Sequence, residues 1–270
     1  MNVQNDKKEI LRGVFSRAAE GYGKIGFFQV FGKHLVEVAA IKTGEKVLDV
    51  ACGRGAVLFP AAEDVGPVGQ VIAIDLSDGM VQETTIEVER RGIKNVRVQQ
   101  MDAENLQFPD RTFDVVLCGF ALQFFPHLER GLAEFNRVLK PGGRVAATTW
   151  SEFEDPRWNW FEDLIDHYGA RVSLGTNKLD TPVKIEPWFS NAGFSEIQIN
   201  SWKFDAVYPD AQHYWNMRSS ISCRAGFERL DRATLEKFKS ETFDQLNAMK
   251  EPDGFHELLE ALFTTATKSK

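Results

Sequence analysis

Small residues cluster directly after a short apolar segment of this chain. Val47–Val50 is followed by Ala51, Gly53 and Gly55 in the run Ala-Cys-Gly-Arg-Gly. Glycine has no Cβ and adopts positive φ readily, so a ligand can approach such a turn closely. The helix that follows begins with unpaired N–H groups. This pattern is typical of nucleotide-binding α/β domains, although a Gly-rich turn without any ligand has the same composition.

An acidic residue follows the next apolar segment. Asp75 ends Val71–Asp75 and lies about 20 residues beyond Gly55, the spacing at which nucleotide-binding α/β domains place an acid for the ribose hydroxyls. The alternative is a surface turn, because Asp-Leu-Ser-Asp-Gly is also good turn chemistry. The Gly-rich turn and the acid together favour a nucleotide-like ligand.

A second acid comes after a third short strand, in Met101-Asp102-Ala103-Glu104. A carboxylate at this position can accept a hydrogen bond from an adenine amino group. The sequence therefore predicts three polar contact points, one after each of three successive strands.

These residues need a sheet to bring them together. Short β-rich segments alternate with helix-period stretches between residues 33 and 150, which indicates βαβ units and a parallel sheet with right-handed crossovers. Leu128–Leu139 is predicted to be a helix that Pro141–Gly143 ends. The predicted strands cover residues 46–50, 71–75, 96–98, 113–118 and 145–150.

The alternation stops after Trp150. We interpret the chain as one domain, with a helical lid over residues 1–40 and a cofactor-binding core over 41–150. The segments 151–190 and 208–258 are predicted to form a helical cap. Residues 195–207 and 261–267 are predicted to be closing strands.

The series of motifs resembles the class I S-adenosylmethionine-dependent methyltransferases, and within them the branch of the ubiquinone/menaquinone C-methyltransferases. The matching stretches are Val47 to Ala56, Ala73 to Met80, Gln100 to Phe108, Phe113 to Phe125, and Arg137 to Gly143. The resemblance implies an α/β fold, a Rossmann-like three-layer sandwich with a seven-stranded, mostly parallel sheet whose last strand is antiparallel. It implies S-adenosyl-L-methionine as the cofactor and a small molecule as the methyl acceptor.

The resemblance also assigns roles to residues at the cofactor. It places Asp49 and the 51–55 turn at the methionine part, Asp75 at the ribose and Asp102 at the adenine amino group. One departure is Ala51, where the family usually has Gly. The residues expected at the cofactor are Tyr22, Asp49, Ala51, Gly53, Gly55, Asp75, Leu76, Met80, Asp102, Ala103, Cys118 and Phe120.

Tyr22 and His127 are the candidate catalytic residues. Tyr22 matches an N-terminal segment that often closes over the cofactor in this branch, and an aromatic face stabilises a sulfonium. His127 follows the fourth strand and is a candidate base for the acceptor's proton. The alternatives are a core tyrosine and a structural histidine.

The acceptor is expected to be hydrophobic. Phe120, Phe124 and Phe125 follow the fourth strand, and Trp158 and Trp160 lie in the predicted cap. Aromatic groups around a concave site suit a quinone, polyketide or isoprenoid-like molecule, whose C, O or N atom is methylated. Core packing is the alternative role of these rings. Two other functions stay open, an NAD-dependent oxidoreductase and a non-methylating cyclase or binding protein on the same fold.

Composition excludes some partners and locations. The chain of 270 residues has 32 Lys and Arg against 39 Asp and Glu, so it lacks the basic surplus that nucleic-acid binding by phosphate neutralisation requires. Its longest apolar stretch, Val115–Phe125, is shorter than the roughly 20 residues of a membrane-spanning helix. Met1–Gly13 is polar, and three scattered cysteines predict neither a disulfide framework nor a metal site. A cytoplasmic location is expected.

Overall fold

A seven-stranded sheet forms the centre of the computed structural model, which describes residues 3–269 and the side chains of residues 7–269. Its strands are β1 (Lys46–Val50), β2 (Gln70–Asp75), β3 (Val96–Gln100), β4 (Phe113–Gly119), β5 (Leu139–Trp150), β6 (Phe194–Tyr208) and β7 (Phe255–Lys268). The helices are α1 (Val3–Tyr22), α2 (Gly26–Ala39), α3 (Leu58–Val65), α4 (Asp78–Arg90), α5 (Leu128–Val138), α6 (Asn159–His167), α7 (Pro182–Asn191), α8 (Ala211–Arg218), α9 (Arg224–Phe227) and α10 (Arg232–Met249).

The strand order is β3-β2-β1-β4-β5-β7-β6. The first five strands pair in parallel, and β7 is antiparallel to both of its neighbours, β5 and β6. This confirms the predicted sheet with its reversed last strand. β2 and β3 are added on one side of β1, and β4 and β5 on the other, so the strand order reverses at β1. A crevice opens at this point, beyond the carboxyl ends of β1 and β4.

The central strands bury side chains on both faces of the sheet. Val47 packs in the cluster that includes helices α2 and α3, whereas Leu48 packs in the cluster that includes α5 and α7. Side chains of successive strand residues point to opposite faces, so a strand covered on both sides is apolar almost throughout. The three-layer arrangement follows directly.

Several predicted boundaries differ from the structure. β5 begins at Leu139, which pairs with Phe113 before a bulge, so Pro141–Gly143 lies within this strand and not in a turn before it. β7 begins at Phe255, inside the segment predicted as cap, because it pairs with β6 as far as Tyr208. Helix α7 lies within the predicted cap segment 151–190, but it buries Ile185 and Phe189 against the sheet. Its apolar face therefore completes the helix layer beside α5.

The remaining helices of the predicted cap pack around aromatic side chains. Tyr214 of α8 and Phe238 of α10 are fully buried, and Phe161 of α6 lies 5.4 Å from Tyr214 between ring centroids. Long β6 and β7 extend beyond the other strands and contact these helices through Tyr208 and Phe255. None of the described helices is both long and apolar enough to cross a membrane.

Helix α1 spans the crevice and contacts both the start of α4 and the cap. Ser16 accepts or donates a hydrogen bond with Ser77 at 2.9 Å and donates to Asp78 at 2.6 Å. On its other side, Arg17 donates to Glu228 at 2.7 Å, directly after α9. The N-terminal helix thus lies over the carboxyl edge of the sheet.

Candidate active site

A cleft lies between α1 and the carboxyl ends of β1, β2, β3 and β4. We call it the main cleft; it encloses about 810 Å³, part of it open to solvent, within the range usual for cofactor sites. Nine of the residues expected at the cofactor line it: Tyr22, Ala51, Gly53, Asp75, Leu76, Met80, Asp102, Ala103 and Phe120.

Asp75 connects the end of β2 to two backbone segments around the cleft. Its Oδ2 accepts a hydrogen bond from the Gly53 N–H, and its Oδ1 accepts one from the Ser77 N–H, both at 2.8 Å. Burial raises the pKa of Asp75 to about 6, although these N–H donors lower it. The carboxylate is therefore fixed in position, and its remaining lone pairs can accept hydroxyl groups.

The turn after β1 has left-handed backbone at three positions, Ala51 (φ 55°), Gly53 (φ 50°) and Gly55 (φ 83°). A Cβ at Gly53 would lie 3.8 Å from the Tyr22 ring, on the cleft side. A Cβ at Gly55 would lie 2.5 Å from the Phe59 ring. Gly55 lines a groove on the other side of the turn instead of the main cleft, so its role is in the turn geometry.

A smaller inner pocket adjoins the turn and contains Asp49. Asp49 is fully buried, and neither oxygen has a hydrogen-bond partner among the described residues. Burial raises the pKa of this carboxyl well above its usual value, and nearby Asp75 raises it further. Arg54 lines the same pocket and has an unpaired Nε. A buried carboxyl beside an unsatisfied guanidinium nitrogen suits a ligand that carries an ammonium and a carboxylate.

Asp102 is joined to α1. Its Oδ2 lies 2.7 Å from Lys8 Nζ, and its Oδ1 accepts the Glu104 N–H at 2.9 Å. Lys8 Nζ also lies 2.6 Å from Glu104 Oε2. The sequence prediction did not include Lys8, because an ion pair between residues 94 positions apart leaves no local pattern.

Phe120 directly follows β4 in a left-handed conformation with φ 54°. Its ring stacks on Trp150 at 4.2 Å and meets Phe28 edge-on at 5.6 Å. Tyr22 stacks on the same Phe28 at 5.0 Å. Rings from α1, α2, β5 and the end of β4 therefore surround one point of the site.

An outer cavity lies on the far side of these rings, between the sheet edge and the cap. It encloses about 1360 Å³, part of it open, and shares Phe15, Tyr22, Phe120 and Phe124 with the main cleft. Among the described residues, Tyr22 and Phe120 line all three spaces, the main cleft, the inner pocket and the outer cavity. The polar residues of the outer cavity, Arg218, Glu257 and Glu260 among them, come from segments that the sequence analysis described only coarsely.

The structure does not bring His127 and Cys118 into this site. His127 precedes α5, where its N–H donates to Glu104 Oε1 at 2.7 Å, and it lines none of the three spaces. Cys118 is fully buried in the cluster that contains Leu48, because consecutive strand residues point to opposite faces and Gly119 is the one at the cleft. Burial raises the pKa of the Cys118 thiol. As a base, His127 is therefore wrongly placed.

The family model for the ubiE/COQ5 methyltransferase family matches residues 1–171. The chain belongs to this family. As a member it is an S-adenosylmethionine-dependent methyltransferase, and the oxidoreductase alternative is wrong. The match ends in the cap, so α8, α9, α10 and ten of the 25 residues that line the outer cavity lie beyond it.

Similar proteins include biosynthetic methyltransferases. The chain is 41% identical over 151 residues to the aklanonic acid methyltransferase of Streptomyces sp. (strain C5), a match that covers 55% of this chain and 68% of that protein. It is 31% identical over 223 residues to the demethylmenaquinone methyltransferase of Geobacillus sp. (strain WCH70), covering 75% of this chain and 95% of that protein.

Solved structures share the fold. The YcgJ protein from Bacillus subtilis superposes with a TM-score of 0.59 at 21% identity, covering 89% of this chain and 99% of that one. A phosphoethanolamine N-methyltransferase from Haemonchus contortus, solved with S-adenosylhomocysteine, has a TM-score of 0.57 at 20% identity over 88% of this chain and 52% of that one. Both confirm the Rossmann-like architecture.

The residues present fit S-adenosylmethionine. The unpartnered carboxyl of Asp49 and the open turn at Gly53 line the inner pocket, where they would hold its amino-acid end. Asp75 and Asp102 line the adjoining cleft, where they would hold the ribose and the adenine amino group. The sulfonium would then lie near Tyr22 and Phe120, between the two spaces.

Proposed function

We propose that this methyltransferase acts on a small hydrophobic metabolite, a planar molecule of the quinone or polyketide type, which binds in the outer cavity. The observation that carries the proposal is the meeting of three spaces at Tyr22 and Phe120. A methyl donor in the main cleft and inner pocket would present its methyl group to the outer cavity at this point.

The chain's contribution is mainly positional. When bound, S-adenosylmethionine supplies a methyl group on a positively charged sulfur. The protein then has to hold the acceptor atom at attack distance and in line with the bond between the methyl carbon and the sulfur. Such positioning can supply a large part of the reduction in activation free energy when two reactants combine. Phe120 and Tyr22 are suited to face the positive charge, and their rings are held by stacking on Trp150 and Phe28 respectively.

The lining of the outer cavity supports a flat, largely apolar acceptor. Phe27, Phe28, Phe120, Trp150 and Trp158 all contribute to it. The named substrates of two relatives, aklanonic acid and demethylmenaquinone, suggest the same class of acceptor for this chain. The acidic balance of the chain further supports a small molecule over nucleic acid, and we place the reaction in the cytoplasm.

Methyl transfer to a defined panel tests the proposal. The protein would be incubated with methyl-labelled S-adenosylmethionine and reduced naphthoquinones, hydroxyanthraquinones, simple amines or phosphoethanolamine, and labelled products would be identified by mass spectrometry. We expect label in one of the first two groups, and its loss in Asp49→Asn, with an exposed control, Asp64→Asn, left active.

Transfer only to the amines would contradict the proposed acceptor class. Tight binding of S-adenosylhomocysteine with no labelled product from the panel or from a whole metabolite extract would support the cyclase or binding-protein alternative instead.

A further inference from the structure

The cap contributes a polar wall to the outer cavity, opposite the aromatic residues Phe27, Phe28 and Phe120 that also line it. Arg218 at the end of α8, Glu257 on β7, Tyr208 on β6 and Cys223 before α9 all line the cavity there. None of these residues belongs to the segment that the family model matches, which ends at residue 171. The family match therefore does not account for their arrangement.

Hydrogen bonds hold the Arg218 guanidinium in place. Nη2 donates to Glu257 Oε1 at 2.8 Å, and Nε donates to the Tyr214 hydroxyl at 2.9 Å. Tyr208 donates to the other oxygen of Glu257 at 2.7 Å. Burial raises the pKa of Tyr208 and of Tyr214 well above the usual value, so both hydroxyls keep their protons. The guanidinium cannot rotate without breaking these bonds.

The third nitrogen of the guanidinium has no such partner. Among the described residues, no carboxylate, carbonyl or hydroxyl oxygen accepts a hydrogen bond from Nη1 of Arg218. Cys223 adjoins the guanidinium, but burial raises the pKa of its thiol, and a neutral thiol is a weak acceptor. Because Arg218 lines the outer cavity, a bound oxygen there can accept the charge-assisted hydrogen bond that Nη1 leaves unused.

The surrounding charges decide which kind of oxygen fits. Glu257 already neutralises Arg218, and Glu154 and Glu260 add negative charge around the same cavity. A carboxylate ligand would meet repulsion from these groups, whereas a neutral carbonyl gains a charge-assisted hydrogen bond without that cost.

We propose that Arg218 is a specificity-determining residue, which donates from Nη1 to a neutral carbonyl oxygen of the methyl acceptor. The carbonyl lies on the part of the acceptor remote from the atom that faces Tyr22 and Phe120. The inference rests on the proposed function, since it names the group by which this cavity selects its planar acceptor.

Two probes of equal shape test the inference without turnover. The 2,3-dimethyl derivatives of 1,4-naphthoquinone and of naphthalene differ in two carbonyl oxygens, and both lack a position for thiol addition. Each would be titrated by equilibrium dialysis into the protein saturated with S-adenosylhomocysteine. In Arg218→Lys, which keeps a charge for Glu257 but shortens the reach, we expect about a tenfold weaker Kd for the quinone and a change below about twofold for the hydrocarbon.

Arg157→Lys is the matched control, because Arg157 pairs with Asp155 but does not line the outer cavity. The double variant Arg218→Met/Glu257→Gln repeats the test without an unpaired buried charge, should the lysine variant fail to fold. Equal losses for both probes, or none for the quinone, would overturn the role of Arg218 alone. Failure of both probes to bind the wild-type complex would overturn the proposed acceptor class together with this inference.

Discussion

At the scale of single residues, the site is defined by carboxyl groups in unequal surroundings. Asp49 is buried without a partner, Asp75 accepts two backbone N–H groups, and Asp102 is paired with Lys8. The three residue types were predictable from their position after three strands. Their protonation was not, because burial and neighbouring charges are set by residues distant in the chain.

Asp49→Asn is expected to stabilise the free protein at neutral pH and to weaken cofactor binding. The pKa of Asp49 is raised in the folded state, so its contribution to stability is fully present below the unfolded value near 3.8 and is lost as pH rises through the folded value. An uncharged amide avoids that loss but cannot pair with an ammonium. Thermal unfolding at pH 7.5 should show a higher Tm for the variant, and calorimetry a lower affinity for S-adenosylhomocysteine.

The stabilisation should vanish at pH 4, where the native carboxyl is protonated in the wild type as well. A variant that is less stable at pH 7.5 and binds S-adenosylhomocysteine normally would show that Asp49 has a purely structural role.

Asp75→Ala is expected to weaken binding of S-adenosylhomocysteine by about 1.5–3 kcal/mol, because the ribose hydroxyls lose a charged acceptor. That is a factor of about 10–150 in Kd, measurable by calorimetry. Asp64→Ala, at an exposed position of α3, is the control and should bind normally. Unchanged affinity in Asp75→Ala would show that the acid only supports the turn at Gly53.

At the scale of elements, α1 decides access to the main cleft. Lys8, Leu11, Phe15 and Tyr22 of this helix line the cleft. The sequence predicted a helical lid over residues 1–40 but not how it is attached. Lys8 pairs with Asp102 in the turn after β3, and Arg17 pairs with Glu228 next to α9.

Lys8→Met is expected to speed cofactor release. The ion pair with Asp102 and Glu104 is partly exposed, so its loss is worth about 0.2–1 kcal/mol and an increase of roughly 1.4–5-fold in the dissociation rate of S-adenosylhomocysteine. Stopped-flow displacement measures this rate. Lys7→Met is the control, since Lys7 makes no ion pair with a described residue. An unaltered rate would mean that the Lys8 ion pair does not restrain α1 over the cleft.

At the scale of the whole molecule, the long β6–β7 pair joins the cap to the sheet. His256 on β7 contributes to this connection through contacts of 2.7 Å to Asp205 on β6 and 3.0 Å to Asp253 in the preceding turn. These carboxylates raise the pKa of His256 to about 9. The cap, and with it the outer cavity, is therefore attached in part by a titratable group.

His256→Gln is expected to lower stability more at pH 6 than at pH 9.5. A folded pKa above the unfolded value near 6.5 means that the contribution is complete below pH 6.5 and is lost as pH rises through about 9. The Tm difference between wild type and variant, measured across this range, should shrink toward high pH. A difference independent of pH would show that the imidazole acts by packing alone.

The amino-acid sequence by itself determined the alternation of strands and helices, the parallel sheet and the small and acidic residues at the carboxyl ends of β1, β2 and β3. These depend on short-range patterns, periodicity and turn composition, that a single segment contains. Only the tertiary structure decided that Gly55, Cys118 and His127 lie away from the main cleft. It also decided that Lys8 reaches Asp102 and that α7 belongs to the sheet layers. Such facts depend on which face of a strand is inward and on contacts between distant segments, and no local pattern encodes them.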